Sequence, residues 1–458
     1  MPETIQAYLE TVQEQIRWKR ARPVLVRELA RHLEDQRDDF LREGKSPEEA
    51  ERLAVQDMGD PVAVGTELDA VHRPKPQWGL LGLTIALALA GVILRAFFFR
   101  ANPYVRSVYV AAKAFAALGL GTAALLGMYF LDVSRLVRHA GLIYIGALLL
   151  GMGIFWDAAR QISFGIARFP FYFSQSLPII YVLGICSLRR KGWKGFFLAI
   201  LGSVPLAVIA TIYPSMSNLL LLLLSGFALM LLASWEDWFG VGRRKGLCLV
   251  LAIAFGLLAY LFFQGYFDSL IGRLRIALHP ELDPYGRGFA GQMIRTFWAD
   301  ISPIQNSPGN YGIGAVSGVR GPNGKEWTPF SFGADFLPAI MAGAWGWVPL
   351  LLLVATLAVL LLWLLVKGLR QKYLPGRFVV LAVVITLAVQ LLFSVALNLG
   401  FVLFSASLPL VVGNLQTVLD MALIGLALSV FRGDSIAQEE SESPRQSRKR
   451  LRIRFEYQ

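Results

Sequence analysis

The sequence predicts an all-α membrane protein of about ten transmembrane helices, with a small soluble helical bundle before them and a basic tail after them. Three observations carry this prediction. The 458 residues are 55% hydrophobic and only 17% charged, with a mean hydropathy of +0.53, whereas a soluble chain is typically about a quarter charged. Between Trp78 and Phe431 the apolar residues form runs long enough to cross ~30 Å of hydrocarbon as helices. The charged residues collect at the two ends and in the links between runs. This composition excludes a disordered chain, a secreted disulfide scaffold and an ordinary cytosolic enzyme. The balance of 44 Lys+Arg against 32 Asp+Glu gives a net charge of +12. Such an excess suits nucleic acid or an anionic membrane face, and the apolar content decides for the membrane.

Residues 1–76 read as a cytoplasmic bundle of three or four short helices. Val24, Leu25, Leu29 and His32-Leu33 recur at helical spacing. Gly44 stops one helix, and Ser46-Pro47-Glu48-Glu49 starts the next: Ser46 caps, Pro47 fits the first turn, and Glu49 is placed to reach back to the cap amide. Asp60-Pro61 repeats the signal. Pro74 and Pro76 then separate the bundle from the membrane domain, 77–431. No cleavable signal peptide is expected, because the first 75 or so residues are polar and charged.

Within the membrane domain the apolar runs give spans of roughly 78–99, 107–131, 138–156, 173–188, 194–213, 217–235, 245–266, 333–366, 376–399 and 403–431, the fourth being the shortest. Loop charges set the direction. Arg189, Arg190, Lys191 and Lys194 share one loop; Arg243, Arg244 and Lys245 a second; Lys367, Arg370, Lys372 and Arg377 a third. All three fall on one side, with both termini, and the positive-inside rule makes that side cytoplasmic. The tail, 432–458, carries Arg445, Arg448, Lys449, Arg450, Arg452 and Arg454; it reads as a solvated segment on that face, or one that lies on anionic lipid. Cys186 and Cys248 both sit in apolar runs and read as small buried hydrophobes.

This topology leaves a single long external loop, 267–332. It holds His279, Asp283, Asp300 and five arginines, Arg273, Arg275, Arg287, Arg295 and Arg320. Long loops in compact domains are usually functional or disordered; an amphipathic stretch around Phe289–Trp298 and the Gly312-Ile313-Gly314 turn signal favour order. Phosphate-loop, H-E-x-x-H and Cys-x-x-Cys motifs are absent, and four scattered histidines cannot build a dense metal site. The sharpest local pattern is Asp283-Pro284-Tyr285-Gly286-Arg287-Gly288. Proline fixes one dihedral there and glycines free others, so the turn holds a carboxylate at a defined depth. Nearby guanidinium groups suit a phosphate or pyrophosphate, and a carboxylate beside such an anion can serve as a base. The plainer reading is that Asp283 caps a turn and the arginines are surface charges. Asp335, Asp420 and Lys113 fall in or near the apolar spans; a charge at mid-bilayer costs at least about 2.5–3.5 kcal/mol, so each should face the interior, a wet cavity or a partner charge.

The stretch from Arg273 through Pro280, Asp283, Pro284, Gly286 and Gly288 to Phe289 resembles the large external loop of the SEDS family, the shape, elongation, division and sporulation proteins such as FtsW, RodA and SpoVE. Phe289 stands where that family usually has Tyr. Ala334-Asp335-Phe336 resembles its T-D-F, with Gly346 matching a following glycine. Weaker likenesses are Ala159-Arg160-Gln161-Ile162 with Gln175-Ser176, and Asn398-Leu399-Gly400 with Leu408-Pro409. Departures are Tyr213-Pro214-Ser215 for Q-P-D, Gly343 and Ala344 for two glutamates, the residues around Val412–Gln416 for S-Y-G-G-S, and Ala290 for a glutamine. The N-terminal bundle, through Met58-Gly59-Asp60-Pro61, Leu68 and His72-Arg73, resembles the helical prefix domain of some bacterial permeases.

The resemblance implies a peptidoglycan glycosyltransferase that polymerises lipid II on the outer face of the bacterial plasma membrane. It implies Asp283 as catalytic base, with Arg273, Arg275, Arg287 and Arg295 and a divalent cation such as Mg2+ stabilising the undecaprenyl pyrophosphate leaving group. Asp335 is a second candidate for the site, and Lys113 aligns with a basic position of the second crossing. The implied partners are lipid II, the undecaprenyl-linked glycan, a class B penicillin-binding protein and the membrane, and not nucleic acid. Two alternatives are a catalytically silent SEDS-like scaffold or regulator of a transpeptidase, and a lipid or solute transporter.

Overall fold

The computed structural model describes residues 4–19, 21–74, 76–99, 107–159, 169–212, 216–299, 301–304, 334–404 and 406–442, and these residues contain helices and no strand. Tyr213-Pro214-Ser215, Arg160-Gln161-Ile162, Asp300, the Gly312-Ile313-Gly314 signal and Arg320 lie outside them. The chain divides into two compact units, one holding Met1–Gln77 and the other Trp78–Val430.

The N-terminal unit is a bundle of four helices, α1 (Ile5–Gln15), α2 (Arg22–Arg42), α3 (Pro47–Met58) and α4 (Pro61–His72). Its starts are the ones the caps dictate. The Ser46 hydroxyl accepts from the Glu49 amide at 3.3 Å and the Asp60 carboxylate from the Ala63 amide at 3.0 Å. The Glu49 carboxylate does not close a reciprocal capping box; it pairs with Lys45 Nζ at 3.5 Å instead. Tyr8, Val12, Ile16, Leu25, Leu29 and Leu33 pack with Ala54 and Val55 into the core. Two long-range bonds pin α1 at its ends: the Ile5 amide donates to Glu51 Oε1, and the Arg17 amide to the buried Asp69 Oδ1, both at 2.8 Å.

The membrane unit holds α5 (Trp78–Phe99), α6 (Ser107–Phe130), α7 (Val133–Arg138), α8 (Ala140–Ala159), α9 (Phe169–Gln175), α10 (Leu177–Cys186), α11 (Gly192–Ile212), α12 (Met216–Trp235), α13 (Arg243–Phe263), α14 (Tyr266–Leu278), α15 (Phe289–Ala299), α16 (Leu337–Trp345), α17 (Trp347–Leu369), α18 (Leu374–Asn398) and, as far as Val430, α19 (Asn414–Glu442). Among the described residues eight helices are long and apolar enough to cross a membrane, and Ala140–Ile154 and Leu177–Cys186 are shorter apolar helices. The chain is a multi-pass membrane protein.

Three expected spans are built differently. The run 333–366 is not one helix. It breaks at Gly346, whose φ of +91° a side-chain-bearing residue would adopt at a cost. The Pro303 carbonyl accepts from the Val348 amide at 3.1 Å and sits where a Cβ on Gly346 would be, 2.3 Å away. The fourth span is two pieces, α9 and α10, with Pro178 near the start of the second. The last helix starts at Asn414, not at 403. Residues 399–404 and 406–413 run as irregular backbone in which Leu408, Leu410, Val411 and Val412 are buried. Irregular backbone inside a membrane domain must find internal hydrogen bonds. The Leu410 amide donates to Asp420 Oδ2 at 2.9 Å, and Thr417 Oγ1 donates to the Leu410 and Gly413 carbonyls at 3.3 and 2.6 Å. Gln390 Nε2 donates to the Ser407 carbonyl at 3.2 Å.

Of the intramembrane charges, Asp420 is fully buried, Asp335 is half-buried and Lys113 is exposed on α6. Lys113 is the seventh residue of α6, near its start, where a long side chain can reach the interface. Cys186 is buried, whereas Cys248 is exposed on the flank of α13, which corrects the expectation for the second cysteine.

The basic loops meet at one end of the unit. The Arg190 amide donates to the Trp238 carbonyl at 2.9 Å and the Gly192 amide to the Phe239 carbonyl at 2.8 Å. Arg377 Nη1 pairs with Glu236 Oε1 at 2.9 Å. The Asp283 segment follows the opposite end of α13, which spans about 30 Å at 1.5 Å per residue.

Candidate active site

Three short elements position Asp283. Helix α14 follows Gly265 and ends at Leu278; Pro280–Leu282 form a single 3₁₀ turn; α15 begins at Phe289. Asp283 lies between the last two. Its amide donates to the Pro280 carbonyl at 3.2 Å, and its own carbonyl accepts from the Gly286 and Gly288 amides at 3.3 and 3.1 Å. Its side chain is half-buried, and Oδ2 accepts from the Arg287 amide at 2.9 Å.

The two glycines of this turn serve a purpose other than the dihedral freedom expected of them: neither has a positive φ. They are needed for space. A Cβ on Gly286 would fall 2.4 Å from the Asp283 carboxylate, and one on Gly288 would fall 2.2 Å from the Pro280 carbonyl oxygen. Any side chain at either position would displace the carboxylate or the 3₁₀ turn that holds it.

The arginines divide into two groups. Arg295, on α15, reaches back to the end of α14: Nη1 donates to the Leu278 carbonyl and Nη2 to the Ala277 carbonyl, both at 2.7 Å. A cation on the unsatisfied carbonyls of a helix C-terminus is favourable both as hydrogen bonding and against the helix dipole. Arg295 thus staples α14 to α15. Arg273, Arg275 and Arg287 are exposed, and no hydrogen bond or ion pair among the described residues holds their guanidinium groups. His279 Nδ1 lies 3.0 Å from Glu281 Oε1, and the Glu281 carboxyl is held below its usual range by its backbone hydrogen bond first and by His279 second.

Helix α15 joins this segment to the membrane helices. Its apolar face buries Met293, Ile294 and Phe297, and Ile294 packs with Phe336 and Leu397. Asn398, 2% exposed at the end of α18, is the polar junction. Its carbonyl accepts from Trp298 Nε1 at 2.6 Å and its Oδ1 from the Ala339 amide at 3.1 Å, while Nδ2 donates to the Asp335 and Ser394 carbonyls at 3.0 and 2.8 Å. The Asp335 carboxylate accepts from Ser407 Oγ at 2.5 Å. Asp335 is therefore tied to the buried irregular segment rather than to the Asp283 turn. Gly343 has a reason to lack a side chain: a Cβ there would lie 2.3 Å from the Phe297 ring.

Sequence reasoning missed Arg95. It lies in the apolar run of α5, is 3% exposed, and donates from Nη1 to Asn414 Oδ1 at 2.7 Å, at the start of α19. A lone arginine well inside such a run was the available signal. Among the described residues no group of three or more His, Cys, Asp or Glu side chains could hold a metal ion. Mg2+ is usually held through one or two carboxylates, with water and substrate phosphates completing its shell, so such an ion does not require a closed all-protein site.

An all-α, multi-pass body with one ordered segment at the far end of α13 defines the architectural class. Solved structures identify the particular fold. A chain of a peptidoglycan synthase complex that coordinates polymerization and crosslinking is 19% identical, with a TM-score of 0.56, over 78% of this chain and 98% of that one. Rod shape determining protein RodA of Thermus thermophilus is 19% identical, with a TM-score of 0.50, over 78% of this chain and 97% of that one. An aspartate-to-alanine mutant of the same RodA is 18% identical, also at a TM-score of 0.50, over 78% and 98%. The chain has the RodA fold. No protein-family model matches it, and no curated protein is similar to it in sequence.

Proposed function

We propose that this protein is a peptidoglycan glycosyltransferase of SEDS type, which polymerises lipid II at the outer surface of the bacterial plasma membrane with both termini in the cytoplasm. The observation that carries the reading is the Asp283 turn. In a RodA fold, a D-P-x-G-x-G sequence holds one half-buried carboxylate in the segment that follows α13 and α14, with three guanidinium groups on the same segment that have no partner among the described residues.

Asp283 takes the proton of the acceptor sugar hydroxyl. The freed oxygen pair attacks the anomeric carbon of the growing strand. The bond from that carbon to the undecaprenyl pyrophosphate breaks, and the leaving group keeps its electrons. Arg273, Arg275 and Arg287 are the groups available to meet the charge that builds on the pyrophosphate. Arg295 acts as a positioning residue through α14. Asp335 positions the start of α16, and Lys113 is a further candidate contact for the lipid-linked substrate. A class B penicillin-binding protein is the partner this reading requires for crosslinking.

The test uses purified full-length protein with labelled lipid II. A polymer ladder is expected, and Asp283→Asn should reduce it by about 10²–10⁴-fold with melting unchanged. Equal ladders from both proteins would remove Asp283 from the mechanism. A second reading, a silent scaffold for a transpeptidase, is favoured by the Phe297 ring, which fills the space beside Gly343 where a family glutamate would need room. No ladder, with stable capture of a penicillin-binding protein, would support it.

A further inference from the structure

Two independent features adjoin at the basic end of the membrane unit, at the other end of α13 from the Asp283 segment. The first is charge. The backbone bonds from Arg190 to Trp238 and from Gly192 to Phe239 fix the 189–194 turn against the 236–242 turn. The acids within these turns are already engaged: Glu236 pairs with Arg377, and Asp237 Oδ1 accepts from the Gly242 amide at 2.7 Å. Arg189, Arg190, Lys191 and Lys194 therefore have no acidic partner among the described residues, and neither do the three cations at 243–245. Aromatic rings fix the level of this cluster. The Arg189 guanidinium lies 5.2 Å from the Trp238 ring and that of Arg243 3.1 Å from the Trp235 ring. Trp193 and Trp235 are exposed, as rings at a membrane interface are.

The second feature is a cleft of about 480 Å³ between α8, α10 and α11, which starts at Ser187 and Leu188, next in sequence to Arg189. Tyr144, Gly184 and Gly202 line it, with the exposed Ile145, Leu198 and Leu201. Two of its hydroxyls are spent on backbone: Tyr144 donates to the Gly202 carbonyl at 2.5 Å and Ser187 to the Gly184 carbonyl at 2.7 Å, and the third, on Tyr181, belongs to a residue only 3% exposed. The cleft therefore offers an apolar wall to whatever enters it from the hydrocarbon side.

We propose that this end of the protein binds an anionic phospholipid, with the phosphate on the 189–194 turn and one acyl chain in the cleft below it. A soluble anion would use the charge and leave the cleft empty. A zwitterionic lipid would fill the cleft and leave the cations uncompensated. Only an anionic lipid satisfies both, and its place is at the opposite end of α13, a helix about 30 Å long, from the segment that carries Asp283. The proposal stands whether or not Asp283 is a catalytic base.

Native mass spectrometry of the delipidated full chain tests it, with phosphatidylglycerol and phosphatidylcholine of identical acyl chains as probes. Wild type should retain phosphatidylglycerol at least about tenfold more tightly. R190Q/K191Q/K194Q should abolish that preference without changing phosphatidylcholine retention. Gly141→Leu should weaken both lipids equally, because a Cβ on Gly141 faces the Ser187 side chain at 3.6 Å on the cleft wall. Equal retention of the two lipids by wild type, or a preference that survives the triple variant, would overturn the headgroup site. Unchanged retention in Gly141→Leu would overturn the cleft. Should the triple variant fail to insert, the wild-type comparison and Gly141→Leu decide the matter.

Discussion

Arg295→Ala separates a positioning role from a substrate-binding one. The wild-type guanidinium makes two 2.7 Å bonds to the last carbonyls of α14. Hydrogen bonds to a charged group contribute about 1.5–3 kcal/mol each when buried. Arg295 is half-exposed, and solvent competes for the same carbonyls, so about 2 kcal/mol for the pair is a fair figure. That energy holds the final turn of α14 closed, including the 2.8 Å bond from the His279 amide to the Arg275 carbonyl. At about 1.4 kcal/mol per factor of ten, its loss raises the opening equilibrium of the turn by roughly 30-fold. Hydrogen exchange of the full chain in nanodiscs should show that acceleration in the peptide covering 275–279, with global melting little changed. Arg295→Lys, which can reach one carbonyl, should fall between. The reasoning fails if exchange in this peptide is unchanged while the KM for lipid II rises, because that pattern belongs to a phosphate ligand.

Three further outcomes are expected. Gly343→Glu should cost about 1–3 kcal/mol by driving a side chain into the Phe297 ring, and Phe297→Ala should restore part of it; a glutamate tolerated without that second change would mean α15 moves freely. Asp420→Ala removes the acceptor of the Leu410 amide and of Gln416 Nε2, bonds of 2.9 and 2.8 Å, and should lower melting by the equivalent of about 3 kcal/mol, with Asp420→Asn milder; an unchanged melt would show that the irregular segment needs no such anchor. The third concerns pH. Burial, with Asp60 second, pushes the Tyr8 hydroxyl up from 10.0 to about 12. Folding favours its neutral form, so the N-terminal unit should be fully stable below pH 10 and lose stability between pH 10 and about 12, as followed by circular dichroism; Tyr8→Phe should flatten that slope.

The parts of the fold legible in the sequence are those encoded by neighbours along the chain. Ser46-Pro47 and Asp60-Pro61 mark helix starts because a cap needs only an oxygen three residues ahead of an amide. The amphipathic run at Phe289–Trp298 is a helix because its apolar residues repeat with the helical period. What stays hidden is set by contacts across the fold. The break at Gly346 depends on Pro303, and the irregular backbone of 406–413 is as apolar as a helix would be, so hydropathy cannot tell one from the other. Asp420 reads in the sequence as a charge that must face inward, but its partners, the Leu410 amide and Gln416, are set by the fold, as is the bond from Gln390 to the Ser407 carbonyl. In the site, the Asp283 turn was visible as a motif, but the assignment of Arg295 to a helix end rather than to solvent arises from a bond spanning 17 positions.

Asn398 engages its backbone carbonyl and both polar atoms of its side chain at once, with Trp298, Ala339, Asp335 and Ser394. Sliding α18 along its axis by a single residue, about 1.5 Å, would stretch the bonds to Trp298, Ala339 and Asp335 together. Tilting about this point would strain them far less. The bonds at Asn398 therefore oppose a slide of α18 past α15 and α16 more than a tilt about this residue.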